Sequence, residues 1–272
     1  IHPGGQASIH LSIVADSTNP FLVYVGGDRQ GWPFSLGAQD YSGNLYRVNA
    51  QAPLGSQYAH LTHSNSQGPA GGGTASSSAP HADSRDMAFD ADGNIIEVDD
   101  GGIYKRTSPQ DNTGDWFSLI GDIQTTEFHN IAYDSNSNIV MGGAQDTGSS
   151  AQIMSEDLEW ATITTADGGD VAVDDTSSPG FSNRYSSIQN LGRFTRQTWD
   201  ADNNFMGTTF PALQVISGPS LSPLFVTPIE INEVDQTRIL IFGGTALYES
   251  LDQAETLTAI STTLGAPTSG TD

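Results

Sequence analysis

The chain has 272 residues, 36% of them hydrophobic and none of them Cys. It is long enough to bury a core, and it carries no disulfide framework, thiol nucleophile or Cys-based zinc site. Nine Lys and Arg stand against 32 Asp and Glu, a formal net charge of -23; such a surface repels phosphate backbones and anionic lipid, which argues against nucleic-acid and membrane-surface binding. Apolar runs stop short of the roughly 18 residues of a membrane span. Of the acids 24 are Asp and 8 Glu, and Lys105 is the sole Lys. Asp favours turns and cation-binding loops, and an acid excess with almost no Lys suits a salt-rich or calcium-rich medium. The start, Ile1-His2-Pro3, has neither initiator Met nor signal peptide, which leads us to expect a mature or excised piece.

In chain order, a short apolar strand ending in Asp recurs as Ile13-Val14-Ala15-Asp16, Ala88-Phe89-Asp90, Ala132-Tyr133-Asp134 and Ala172-Val173-Asp174. A turn follows each, then a second strand at 22–25, 95–98, 139–141 and 185–188. Gly-rich corners come next: Gly26-Gly27-Asp28, Asp99-Asp100-Gly101-Gly102 and Gly142-Gly143-Ala144-Gln145-Asp146. Third strands read Leu45-Tyr46-Arg47, Ile103-Tyr104-Lys105 and Leu247-Tyr248-Glu249, and fourth strands carry aromatics such as Trp116 and Trp160. Four short strands repeating every 40–57 residues or so is the period of β-propeller blades. The sequence therefore predicts one all-β domain over 1–272, a propeller of four-stranded antiparallel blades with little helix. Five blades are visible, at about 9–63, 81–122, 126–166, 168–215 and 224–262. Five blades close a small ring or form part of a larger one, which a second chain would complete. A Gly/Ser-rich loop, 64–80, reads either as a surface loop or as a lid over the pore mouth.

Ser250-x-Asp252-x-Ala254-x-Thr256-Leu257 is similar to the Ser-x-Asp-x-Gly-x-Thr-Trp turn of Asp-box propellers, the bacterial neuraminidase-repeat, sortilin and xyloglucanase type, with Gly and Trp replaced. Looser forms are Ser108-x-x-Asp111-x-x-Gly114-Asp115-Trp116 and Ser155-x-Asp157-x-x-Trp160. The stretches 81–86, 99–104, 143–148 and 167–170 resemble a set seen in secreted bacterial members, and the likeness spans about 9–260. It implies a propeller in which each box caps its own turn, and an extracellular location; propellers host many functions.

Antiparallel logic puts the loops leading into first strands and the corners after second strands on one face. That face gathers His81, Asp83, Arg85, Glu127, His129, Asp167 and Asp170, together with Asp28, Arg29, Gln30, Asp99, Asp100, Gln145 and Asp146. Trp32 and Tyr41, in the long corner after Asp28, are placed to stack on sugar. The resemblance to xyloglucanase-type propellers implies that Asp99, in Asp99-Asp100-Gly101-Gly102-Ile103-Tyr104-Lys105, sits where one of two catalytic carboxylates would be. Asp146, Asp167 and Asp83 are candidate partners, and the alternative role for Asp99 and Asp100 is capping the corner. Ca²⁺ at the acidic mouth is a further expectation. Asp90-x-Asp92-Gly93-Asn94 and Asp134-x-Asn136-x-Asn138 have calcium-loop spacing but lack the downstream Glu, so turn chemistry is preferred there. Arg85, beside Asp83 and Asp86, reads as an ion-paired orienter or as a clamp for a sugar carboxylate. No organic cofactor is expected. Three functions stay open: a glycan-recognition or adhesion module, a glycoside hydrolase with paired carboxylates, and a sortilin-like platform for an extracellular protein.

Overall fold

The strand-ending aspartates explain why the chain keeps turning. Asp90 Oδ1 accepts the N–H groups of Asp92 (3.0 Å) and Asn94 (2.8 Å), and Asp200 does the same for Asp202 and Asn204. Asp16 holds the N–H groups of Thr18 and Asn19, Asp134 that of Asn136, and Asp174 that of Ser177. Each carboxylate satisfies backbone donors that a tight reversal would otherwise strand, so a hairpin forms wherever the signature recurs. The two calcium-like spacings are turns of this kind.

The computed structural model describes residues 3–6, 8–32, 41–62, 79–262 and 264; most of the Gly/Ser-rich loop and the tail from 265 lie outside them. The chain is all-β and divides into two compact units, 1–124 and 125–272. The first unit holds two sheets in simple up-and-down order: β1 (Ser12–Ala15), β2 (Leu22–Arg29), β3 (Gly43–Asn49) and β4 (Tyr58–His60), then β5 (Asp86–Phe89), β6 (Ile95–Asp99), β7 (Gly102–Arg106) and β8 (Trp116–Ser118). The second holds β9 (Phe128–Asp134), β10 (Ile139–Ala144), β11 (Gly148–Gln152) and β12 (Trp160–Thr162), and next β13 (Ala172–Asp174), β14 (Phe181–Ile188), β15 (Gly192–Asp200) and β16 (Phe205–Thr209). Its last sheet has five strands in the order β17 (Gln214–Ser217), β21 (Thr256–Ser261), β20 (Ala246–Ser250), β19 (Ile239–Gly243), β18 (Ile229–Ile231).

Four-stranded antiparallel meanders of this kind are the blade module of propellers. β17 pairs parallel with β21 and belongs to the fifth sheet, so the fourth sheet ends with β16. Among the described residues the sole helical turn is a 3₁₀ turn at Gln189–Leu191, and no helix is long and apolar enough to cross a membrane.

Alternation along the strands builds the cores. In the first unit Tyr24, Leu45, Met87, Ile95, Tyr104 and Trp116 pack together, and the Trp116 indole donates to Leu61 O (3.3 Å). In the second, Ile139, Met141, Ala151 and Val171 form one cluster, while Tyr185, Phe194, Ile239, Ile241 and Tyr248 anchor another. Two of the turns that resemble Asp boxes are closed by their own carboxylate: Asp252 accepts the Thr256 N–H (2.9 Å) and hydroxyl (2.7 Å), and Asp111 accepts the same two groups of Thr113.

Candidate functional site

The corner after β6 is built from its own carboxylate. Asp99 Oδ1 accepts the N–H groups of Gly101 (2.8 Å) and Gly102 (2.9 Å). A Cβ on Gly101 would stand 2.5 Å from the His81 Cβ, so the missing side chain is what lets His81 lie against the corner. Tyr41 stacks on His81 with ring centroids 6.3 Å apart and planes 8° from parallel. Tyr41 remains 62% exposed and Trp32 84% exposed, while Asp100 is clamped by Arg85 at 2.6 Å. Arg85 reaches Asp100 across the β5–β6 pairing.

Beneath the corner lies Glu97, a residue that no sequence motif marks. Glu97, two residues before Asp99 on β6, is fully buried and accepts the Ser84 hydroxyl at 2.7 Å; Ser84 in turn meets the Ser12 hydroxyl at 2.6 Å. Glu97 Oε2 and Asp99 Oδ2 are shielded from water and find no N–H or O–H donor among the described residues, yet the two carboxyls lie within hydrogen-bonding reach of each other. A single proton shared between them would satisfy both. Burial pushes the Asp99 carboxyl up to about 6, against the opposing pull of the Gly101 N–H and of His81. Burial also pushes Glu97 well above the usual range, and the neighbouring Asp99 charge adds to it. The period of two in a strand puts residues 97 and 99 on one face, a signal that was available in the sequence.

Asp28 has a different task. It is buried and accepts the N–H groups of Arg29 (2.5 Å) and Gln6 (3.4 Å), pinning the preceding chain to the corner. Gln30 donates to Gly43 O at 2.8 Å. Asp83 adopts a left-handed φ of 67° in the loop before β5, and Arg29 is half-buried at the end of β2.

The remaining candidates gather in the second unit. His129 Nδ1 lies 2.7 Å from Gly168 O, and its Nε2 lies 3.0 Å from Gln145 Oε1. Gln145 donates to Asp167 Oδ1 (2.7 Å), which also accepts the Asp146 N–H (3.1 Å). Burial raises the Asp167 carboxyl, and the Asp146 carboxylate beside it raises it further. Asp170 is structural: its carboxylate holds the N–H groups of Ile229 (2.7 Å) and Val171 (2.9 Å) and the Asn130 amide, and burial raises it. Among the described residues no set of three or more His, Asp and Glu is placed to hold a metal ion.

No protein-family model and no curated protein sequence matches the chain. Among solved structures, similar ones include the GH74 enzyme of Niastella koreensis, with 12% identity, 94% of this chain and 41% of that one covered, and a TM-score of 0.32. A chain of the mitotic checkpoint complex has 10% identity, with 91% and 61% covered, and a TM-score of 0.32. The chain spans about two fifths of the first and three fifths of the second. The blade-like architecture rests on the strand order itself.

Proposed function

We propose that the chain is an extracellular glycan-recognition module, and that Trp32, Tyr41, His81, Arg85, Asp99 and Asp100 form its ligand rim. The observation that carries the reading is Tyr41, stacked on His81 yet 62% exposed beside a fixed acidic corner. Aromatic faces that stay in solvent suit the C–H face of a sugar, and carboxylates held rigid beside them accept its hydroxyls. The carboxyl geometry favours binding over hydrolysis. Glycoside cleavage needs two carboxyls about 5–5.5 Å or 6.5–9.5 Å apart across a bound substrate. Here Asp99 Oδ1 is committed to two backbone amides, and its neighbour Glu97 is fully buried and in contact with it.

The test is affinity electrophoresis against a polysaccharide panel of β-glucans and acidic glycans, run with and without Ca²⁺. Retardation by a polysaccharide, lost in Trp32→Ala and Tyr41→Ala, supports the rim. Retardation untouched by both substitutions removes it. The same panel assayed for reducing ends addresses the hydrolase reading: release that Asp99→Asn abolishes would make Asp99 catalytic and replace the present proposal.

A further inference from the structure

A second recognition surface lies wholly within the second unit. Between the sheet of β9–β12 and that of β13–β16 is an open cleft of about 520 Å³. One wall is a cross-strand patch, because Arg184 pairs with Gln197 and Trp199 pairs with Phe205 in the sheet register. Alternation puts Gln197 and Trp199 on the same face, and the Trp199 and Phe205 rings meet edge to face at 5.4 Å. The facing wall includes Ala151, Ile153, Ala161 and Ile163, with the Thr162 hydroxyl among them. Phe205 is 52% exposed.

Most polar groups around this cleft are already used. Arg184 is buried and held by Asp134 through Nε (2.8 Å) and Nη2 (2.7 Å), and it stacks 4.6 Å from the Trp199 ring. Asn203 accepts from Arg184 and donates to Ile153 O, and Gln152 bridges Val140 N and Asp157 O. Three groups are left over. The Trp199 indole N–H is shielded from water and has no acceptor among the described residues. The Gln197 amide and the Thr162 hydroxyl also line the cleft, and among the described residues neither has a side-chain hydrogen bond.

We propose that this cleft binds a neutral pyranose ring of a glycan. Arg184 is neutralised by Asp134, so the lining offers no free charge and selects an uncharged ligand. Aromatic and aliphatic walls accept the C–H face of a sugar. The Gln197 amide and the Thr162 hydroxyl supply the few directed contacts that fix its orientation. The inference uses none of the residues of the Trp32–Tyr41 rim and stands or falls without it.

The experiment is ¹H–¹⁵N correlation of the indole groups of the whole chain, titrated with methyl β-D-glucopyranoside, galactopyranoside and xylopyranoside. The chain has four Trp, and Trp199→Phe identifies the signal that matters. The Trp199 signal is expected to shift saturably with at least one glycoside, and Phe205→Ala should weaken that binding about tenfold by removing the stacking wall. Gln197→Ala should weaken it as well. An unmoved Trp199 signal with all three glycosides overturns the proposal. So does a shift that both substitutions leave unchanged. Movement confined to the Trp32 signal overturns the cleft while supporting the separate rim.

Discussion

At the scale of single residues, buried charge decides most of what can be tested. Glu97 and Asp99 share a face of β6, and burial holds Asp99 near 6 rather than its ordinary 3.8. A carboxyl whose folded value is raised binds its proton more tightly in the folded state. The pair therefore costs nothing where both states are protonated, below about pH 4, and destabilises progressively as pH rises through the folded value. Glu97→Gln keeps an acceptor for Ser84 and offers Asp99 Oδ2 an N–H donor. Its stability should fall less than the parent's between pH 4 and pH 7, by a difference on the order of 1–3 kcal/mol, read by denaturant unfolding at each pH. An unchanged pH slope would mean that no proton is shared. Asp134 poses the opposite case, a buried carboxylate that pairs with Arg184 at 2.7 Å. Asp134→Ala strands a guanidinium in the interior and should cost about 3–5 kcal/mol in the same assay. Asp99 was legible in the sequence only through a resemblance, whereas the Arg85–Asp100 pair depends on the β5–β6 pairing, which no local motif carries.

At the scale of elements, the turns were the readable part. Asp16, Asp90, Asp134 and Asp174 each cap the reversal that follows, and capping is local, so the sequence carries it in full. Pairing between distant segments is not local. β17 finds its partner β21 some forty residues onward. The cleft beside Trp199 escaped for the same reason: its two walls come from different sheets, and no motif spans them. Gly143 shows how tightly such walls can approach. A Cβ there would collide with the carbonyl oxygen of Gly169, which is backbone and cannot swing aside. Gly143→Ala must push β10 away from the segment leading into β13. We expect it to destabilise the second unit by about 2–4 kcal/mol, whereas Gly207→Ala, with open space around its position, should be nearly neutral. Equal melting temperatures for the two variants would show that the segments separate without cost.

At the scale of the molecule, a net charge of -23 on 272 residues acts on every sheet at once. Like charges spread over a folded surface repel, and unfolding lets them move apart, so part of the stability is spent holding them together. Dissolved ions shorten the reach of that repulsion from about 10 Å at 0.1 M to about 3 Å at 1 M. The melting temperature should therefore climb steeply with NaCl at low concentration and then level off. The total gain would be roughly 4–8 °C if screening recovers about 2 kcal/mol. The ion-pair contribution has the opposite sign, but the exposed Arg85–Asp100 pair is the sort that contributes little, so repulsion should prevail. The comparison that isolates the calcium expectation is CaCl₂ against NaCl at equal ionic strength. Screening alone gives the same curve for both salts. An additional rise in micromolar Ca²⁺ would mean a bound ion, held by oxygens other than a three-residue acidic set among the described residues. A melting temperature that falls as NaCl is added would overturn the repulsion argument and leave the acid excess without a stabilising role for salt.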